Sequence, residues 1–215
     1  MPLAAAALSL AVITGCSVDV RDPAAPEPAP STAELATPTI TPGHDADAVA
    51  NQDQPFSAGG ILAAGVPVGI SDGLGKAPGW TVTKAKVAGA SQYTKSDGCV
   101  VAASVRTHQG PLIKKDDRES TAALFSYLDP TILPEYLSTG TLRWGGDPEA
   151  PARTVEVLVL SEARAVAGRA VAILARVFGT ADSSIYVSVS CPDAATLAAA
   201  RTDVERFLPV LPPSN

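Results

Sequence analysis

Apolar and polar residues alternate with a period of two along several stretches of the chain, which is typical of half-buried strands. In residues 185–191, Ile185, Val187 and Val189 fall on one face. In residues 80–87, Trp80 and Val82 are expected to face inward. Strands are predicted at 80–87, 91–94, 99–107, 141–144, 154–160, 170–178 and 185–191, with a further extended entry segment or edge strand at 59–70.

Two stretches change to the period of a helix. Asp116 or Asp117 is expected to cap a helix over 118–128, and Asp193 a second one near the end of the chain. Asp97-Gly98 predicts a hairpin turn between two of the strands. The order of strands, helix, strands and helix predicts an α+β fold with an antiparallel β-sheet and helices packed on it. The predicted inward helix positions are Thr121, Leu124, Phe125, Leu128, Leu197, Ala200 and Val204.

A resemblance follows from this order and from the lead-in Ala77-Pro78-Gly79-Trp80. The arrangement resembles the PsbP-like α/β/α sandwich of mycobacterial envelope lipoproteins of the LpqN and LpqT type. The likeness covers roughly residues 66–210. It implies an envelope accessory or binding protein and carries no catalytic residues to transfer.

Residues 1–15 are uncharged and mostly apolar, too short to span a bilayer of ~30 Å as a helix, and they fit a secretory signal. Ile13-Thr14-Gly15-Cys16 resembles the lipobox of bacterial lipoproteins. We therefore expect cleavage before Cys16 and its lipid modification, which anchors the protein on the extracytoplasmic face of the cell membrane. A signal normally opens with a basic residue, so its absence here predicts a start upstream of Met1.

Residues 16–60 are rich in proline and alanine and poor in large apolar residues, which predicts a disordered tether. Residues 17–60 carry seven acids against one base, a net charge of −6. The acids and bases of the remaining chain balance. A single domain over 61–215 is expected, and without a basic excess no nucleic-acid partner is expected.

Besides the anchor, the chain contains Cys99 and Cys191. An even pair in an oxidising compartment predicts a disulfide. A zinc site would need four ligands with characteristic spacing, and the only histidines are His44 and His108. No metal or cofactor is expected.

Motifs for catalysis are missing from the sequence. There is no G-x-S-x-G elbow, and His108 reads as an exposed residue at the end of a strand. The glycines before Lys76 have the wrong spacing for a phosphate loop. Ala77 also occupies the position of the serine or threonine whose hydroxyl would ligate magnesium in such a loop. In the charged segment 114–119, the carboxylates of Asp116, Asp117 and Glu119 could bind a metal or act as an acid/base pair. The simpler interpretation is a solvated helix start, where acidic residues are favoured by the helix dipole.

Trp144 and Asp147 are the candidate ligand contacts, because an aromatic side chain beside Gly145-Gly146 could stack on a sugar. The same tryptophan could instead anchor a turn to the core. Three functions stay open. The favoured one is a non-catalytic protein that binds an envelope lipid, glycan or protein. The alternatives are a domain that docks on a membrane partner, and a wall-component hydrolase using carboxylates around Asp116 and Asp147.

Overall fold

The computed structural model describes residues 45–146, 151–162 and 168–213, so the predicted signal peptide, Cys16 and Asp147 lie outside the described residues. The described residues form one β-sheet and three α-helices, which confirms the α+β class. The helices are α1 (Ala46–Ala50), α2 (Asp117–Leu128) and α3 (Ala194–Phe207). The strands are β1 (Gly69–Ile70), β2 (Trp80–Val87), β3 (Ala90–Lys95), β4 (Val100–Thr107), β5 (Ser138–Trp144), β6 (Arg153–Glu162), β7 (Ala170–Phe178), β8 (Ser183–Cys191) and β9 (Val210–Leu211).

The nine strands lie in the order β1-β9-β5-β6-β7-β8-β4-β3-β2. Neighbouring strands pair antiparallel, apart from a short parallel contact in which Trp144 of β5 lies opposite Val210 of β9. The sheet is therefore mixed, whereas the sequence predicted an antiparallel one. The difference arises from β9, a two-residue strand between prolines that the sequence pattern did not reveal.

The two faces of the sheet are each covered by one helix. Val187 and Val189 of β8 are buried in the larger core cluster, which includes Leu197, Ala200 and Val204 of α3. On the opposite face, Phe125 of α2 packs in a second cluster with strands β6 and β7. Because successive side chains of a strand point to opposite faces of the sheet, the central strands place apolar side chains against both helices. No described helix is long and apolar enough to cross a membrane.

Edge strand β2 departs from the predicted pattern. Trp80 is buried as expected, but Val82 keeps 42 % of its surface exposed. The pairing of β2 with β3 is irregular after Val82, and the short 3₁₀ turn Gly73–Lys76 packs against this strand. α3 reaches this edge strand at Trp80, whose indole donates to Asp203, and Val82 further along the strand stays partly exposed.

The hairpin between β3 and β4 forms where Asp97-Gly98 predicted it. Only Gly98 adopts a positive φ, of 89°, so the two-residue type I′ turn does not form. The backbone N–H of Gly98 donates to Lys95 O at 2.9 Å, and the Asp97 carboxylate accepts from Cys99 N at 3.0 Å. These bonds close a three-residue loop in which the glycine takes the left-handed position.

Residues 45–61 form a strap against the sheet, although the sequence predicted a tether up to residue 60. The carbonyl of Val49 accepts a 3.0 Å hydrogen bond from the Trp144 indole. Gln54 forms an isolated parallel bridge to Val155, and its backbone N–H donates to Thr154 O at 2.7 Å. These contacts place folded chain ahead of the expected boundary at residue 61.

Candidate ligand-binding site

A pocket of about 780 Å³ lies on the sheet face that carries α2. This helix packs against β6 and β7, and the neighbouring strands β8, β4 and β3 have no second helix above them among the described residues. The pocket occupies the space between α2 and these strands. Its volume falls within the range of roughly 300–1,000 Å³ that is usual for small-molecule sites.

Small side chains form the floor of the pocket. Ala102 and Ser104 of β4 point to the same face because they are two residues apart. Ser104 lies opposite Ala90 of β3 on one side and opposite Tyr186 of β8 on the other. Alanine and serine at these positions leave the space above the strands empty, and this gives the pocket its depth.

Larger apolar side chains form one wall of the pocket. Leu124 and Leu128 lie four residues apart on α2, with Tyr127 beside them. Pro111 and Leu112 come from the turn before α2. Leu128 was predicted to be buried, but it is 48 % exposed because it borders the open pocket rather than the core.

The polar part of the pocket comes from the end of β4. Arg106 donates to Ala88 O through Nη1 at 3.3 Å and forms no salt bridge within the described chain. His108 has a φ of 60°, unusual for a residue with a side chain, and its Nδ1 lies 3.0 Å from the Thr107 hydroxyl. Gln109 accepts a 3.0 Å hydrogen bond from Ser184.

The pocket lining carries positive charge and no negative charge. Its lining residues include the cation Arg106, and none of them is an aspartate or glutamate. Burial raises the pKa of the Tyr186 hydroxyl above its ordinary value of 10.0, so this side chain remains a neutral hydrogen-bonding group at physiological pH. The pocket can therefore hold an apolar body and offers polar groups without negative charge.

The predicted ligand contact Trp144 is a core residue in the structure. It is 2 % exposed, its indole N–H donates to Val49 O, and its ring lies 6.3 Å from that of Phe178. The strap covers it, which corresponds to the alternative that this tryptophan anchors the fold. Its partner in the prediction, Asp147, is outside the described residues.

The acidic residues at the start of α2 have structural partners. Asp116 caps the helix by accepting from Glu119 N at 2.8 Å, as the simpler interpretation of the charge run predicts. Asp117 is buried and forms an ion pair with Arg176. No group of three or more potential metal ligands occurs in the described part of the chain.

Cys99 and Cys191 form a disulfide, as the sequence predicts. Both residues are fully buried, and their Cα atoms are 4.1 Å apart. Cys191 ends β8, and Cys99 directly precedes β4, the strand beside it in the sheet. The bridge therefore ties together the two strands that form much of the pocket floor.

Sequence reasoning missed the pocket. Its residues come from β3, β4, the turn before α2, α2 itself and β8, and no stretch of chain carries a motif for it. The one available signal is the alternation of small residues on β4 and of serines on β8, which marks a strand face too small to fill a core. Such a signal becomes meaningful only when the sheet order places the strands side by side.

No protein-family model, curated protein or solved structure matches the chain. A function for the chain is therefore inferred from the chemistry of its own residues.

Proposed function

We propose that this chain is a non-catalytic, lipid-anchored protein of the cell envelope that binds an amphipathic ligand such as a lipid in the pocket beside α2. The observation that carries the proposal is the open pocket of about 780 Å³ with an apolar wall, a floor of small residues and a polar edge. Ligand sites are commonly apolar clefts with a few polar groups that fix orientation.

The sequence supports the location. The lipobox resemblance at Cys16 and the acidic, proline-rich stretch that follows fit a domain held outside the membrane on a tether. The disulfide between Cys99 and Cys191 fits an oxidising compartment. One helix on each face of the sheet is also what the PsbP-like resemblance implies, and that resemblance favours an accessory or binding role.

The chemistry of the pocket favours binding over catalysis. General acid–base catalysis needs a titratable side chain within hydrogen-bond reach of the proton that it transfers. The pocket offers His108, whose Nδ1 is bonded to Thr107, and no carboxylate lies among its lining residues. Of the two acids considered for a hydrolase, Asp116 lines a separate cavity near the start of α2, and Asp147 is outside the described residues.

A binding experiment with a steric block tests the proposal. The full chain is titrated with a pyrene-labelled fatty acid, and binding is followed by fluorescence and by native mass spectrometry. Ser104→Trp fills the pocket floor and is expected to abolish binding. Thr94→Trp places the same side chain on β3 outside the pocket, and we expect it to bind normally. Equal binding by the two variants, or none by the parent chain, would contradict the proposal.

The anchor has its own test. In the bacterial host, the full chain is expected to incorporate labelled fatty acid and to partition with membranes, whereas Cys16→Ser is expected to do neither. Cys99→Ser serves as the control, because a change at this buried disulfide cysteine should leave labelling intact. Labelling of the Cys16→Ser chain would rule out the anchor and leave the pocket proposal untouched.

Docking on a membrane partner is a second candidate, favoured by exposed apolar residues on the pocket wall and in the segment after α2. Tyr127 is 76 % exposed and Tyr136 is 58 % exposed, with Leu128 and Leu133 also exposed. Exposed apolar patches often mark interaction sites. Photocrosslinking from position 127, which lines the pocket and is exposed, separates the candidates in the envelope: a discrete protein adduct supports docking, and adducts with lipid alone support the first proposal.

A further inference from the structure

We propose that the pocket selects a ligand with an anionic head group, which Arg106 binds while the apolar wall holds the rest of the molecule. This inference rests on the proposed function and adds the chemical class of the ligand. The shared chemistry is a carboxylate or phosphate joined to an apolar chain. The proposal depends on three features of the site, namely the unpaired guanidinium, the lack of acids and the continuity of polar and apolar surfaces.

Arg106 has donor capacity that the protein does not use. A guanidinium carries five N–H donors, and the only side-chain hydrogen bond of Arg106 in the described chain is the 3.3 Å bond from Nη1 to Ala88 O. That bond joins the side chain to the tight turn between β2 and β3, where Ala88 and Gly89 both have positive φ. The guanidinium is therefore attached to a defined part of the backbone and still has free donors.

Arg106 is a solvent-exposed residue that lines the pocket. No salt bridge to Arg106 is present among the described residues. A fork of parallel N–H donors matches the two oxygens of a carboxylate or phosphate.

His108 adds a second polar side chain at the same edge. Its Nδ1 lies 3.0 Å from the Thr107 hydroxyl, and its Nε2 has no hydrogen-bond partner in the described chain. The backbone of His108 is held at a φ of 60°. Residues in this conformation cost energy and tend to occur at functional sites. Arg106 and His108 both line the pocket, so an anion held there can contact both.

The rest of the pocket fits an apolar chain. Leu112, Leu124 and Leu128 lie on one side and the alanines of β3 and β4 lie beneath. Free phosphate or acetate would bind the guanidinium without using this surface, and an uncharged apolar molecule would use the surface without the guanidinium. The ligand that uses both is an anionic amphiphile.

The test compares a charged and an uncharged version of one probe. The full chain is titrated at pH 8 with a pyrene-labelled fatty acid and with the methyl ester of the same acid. The parent chain is expected to bind the acid roughly tenfold more tightly, the factor for one charge-assisted hydrogen bond. Arg106→Gln is expected to lose this preference and to bind the ester as the parent does. Arg106→Lys is expected to retain part of it, because lysine keeps the charge without the fork.

Lys84→Gln is the matched control, since it removes one exposed positive charge from β2 outside the pocket. It should leave both affinities unchanged. Equal binding of acid and ester by the parent chain, or an unchanged preference in Arg106→Gln, would overturn the inference. In that case, loss of both probes in Ser104→Trp would leave the proposed function standing. Failure of the parent to bind either probe would overturn the proposed function and this inference together.

Discussion

Arg176 and Asp117 form a buried ion pair, with Nη2 of the arginine 2.9 Å from Oδ2 of the aspartate. The guanidinium lies between the rings of Phe56 and Phe178, at 4.8 and 4.9 Å from their centroids, and donates through Nη1 to Gln54 O at 2.6 Å. Burial lowers the pKa of Arg176, and the nearby Asp117 carboxylate acts in the opposite direction. This pair joins the strap, the start of α2 and strand β7.

Removing the acid from this pair is expected to be strongly destabilising. Asp117→Asn leaves the Arg176 charge buried without its counter-charge, and breaking such a pair typically costs about 3–5 kcal/mol. The free energy of unfolding, measured in urea, checks this value. The control is Glu205→Gln in the exposed pair with Arg201, where a loss of about 0.5 kcal/mol or less is expected. Similar decreases in the free energy of unfolding in both variants would show that the buried pair stabilises the fold no more than the exposed pair does.

The disulfide between Cys99 and Cys191 is expected to contribute roughly 4 kcal/mol, because it closes a loop of 92 residues. Cys99→Ala combined with Cys191→Ala should lower the urea midpoint, and reductant should lower that of the parent but not of the double variant. Alkylation of the denatured parent should detect neither of these thiols until reductant is added. Two reactive thiols in the unreduced, denatured domain would contradict the bridge.

The Asp203 carboxylate accepts hydrogen bonds from the Trp80 indole at 2.9 Å and from Lys95 Nζ at 2.7 Å. Burial acts to raise the pKa of Asp203, but the hydrogen bonds from Lys95 and Trp80 outweigh it, so the pKa lies below its ordinary value of 3.8. A lowered carboxyl pKa stabilises the folded state above the ordinary pKa, and this contribution is lost as the pH falls through the folded value.

Asp203→Asn is therefore expected to be less stable than the parent chain at pH 7. The difference should shrink as the pH falls below about 4, where the parent aspartate also becomes neutral. Urea unfolding at pH 7, 5 and 3 measures it. Asp97→Asn is a suitable control, since Asp97 approaches Lys95 only at 3.9 Å. A difference between parent and Asp203→Asn that stays constant down to pH 3 would argue against the proposed ionic contribution.

Local patterns in the sequence predict much of the secondary structure. The strand 185–191 was predicted from its alternation, and both long helices begin after the predicted caps Asp116 and Asp193. These features depend on neighbours a few residues apart in the chain. The disulfide was predicted from the even cysteine count and the expected oxidising compartment.

Features that depend on tertiary contacts escaped the sequence analysis. Arg176 lies in an otherwise apolar run, and nothing local indicates that Asp117, 59 residues away, is its partner. Phe56 belongs to a proline-rich stretch that predicted a tether, yet it packs on this arginine. The pocket is likewise defined by which strands α2 leaves uncovered, a property of the sheet order rather than of any segment.

The strap provides a test of where the folded domain begins. A chain that starts at residue 45 is expected to unfold at the same urea concentration as the full chain. A chain that starts at residue 62 loses Phe56 and two carbonyl acceptors of Arg176, and should be destabilised by about 3 kcal/mol or more. Equal urea midpoints for both truncated chains would instead support the domain boundary near residue 61 that the sequence predicted.

Trp144 separates a structural role from a ligand-binding role. The side chain is buried, lies outside the pocket and donates to Val49 O. Trp144→Phe is therefore expected to lower the free energy of unfolding by about 1–3 kcal/mol through the lost hydrogen bond and the smaller ring, while affinity for the pyrene-labelled fatty acid stays the same. Tyr127→Ala is the converse variant. It removes a 76 % exposed side chain from the pocket wall, so affinity should fall while stability changes by about 0.5 kcal/mol or less. A loss of affinity in Trp144→Phe without a loss of stability would instead indicate that this tryptophan contacts the ligand.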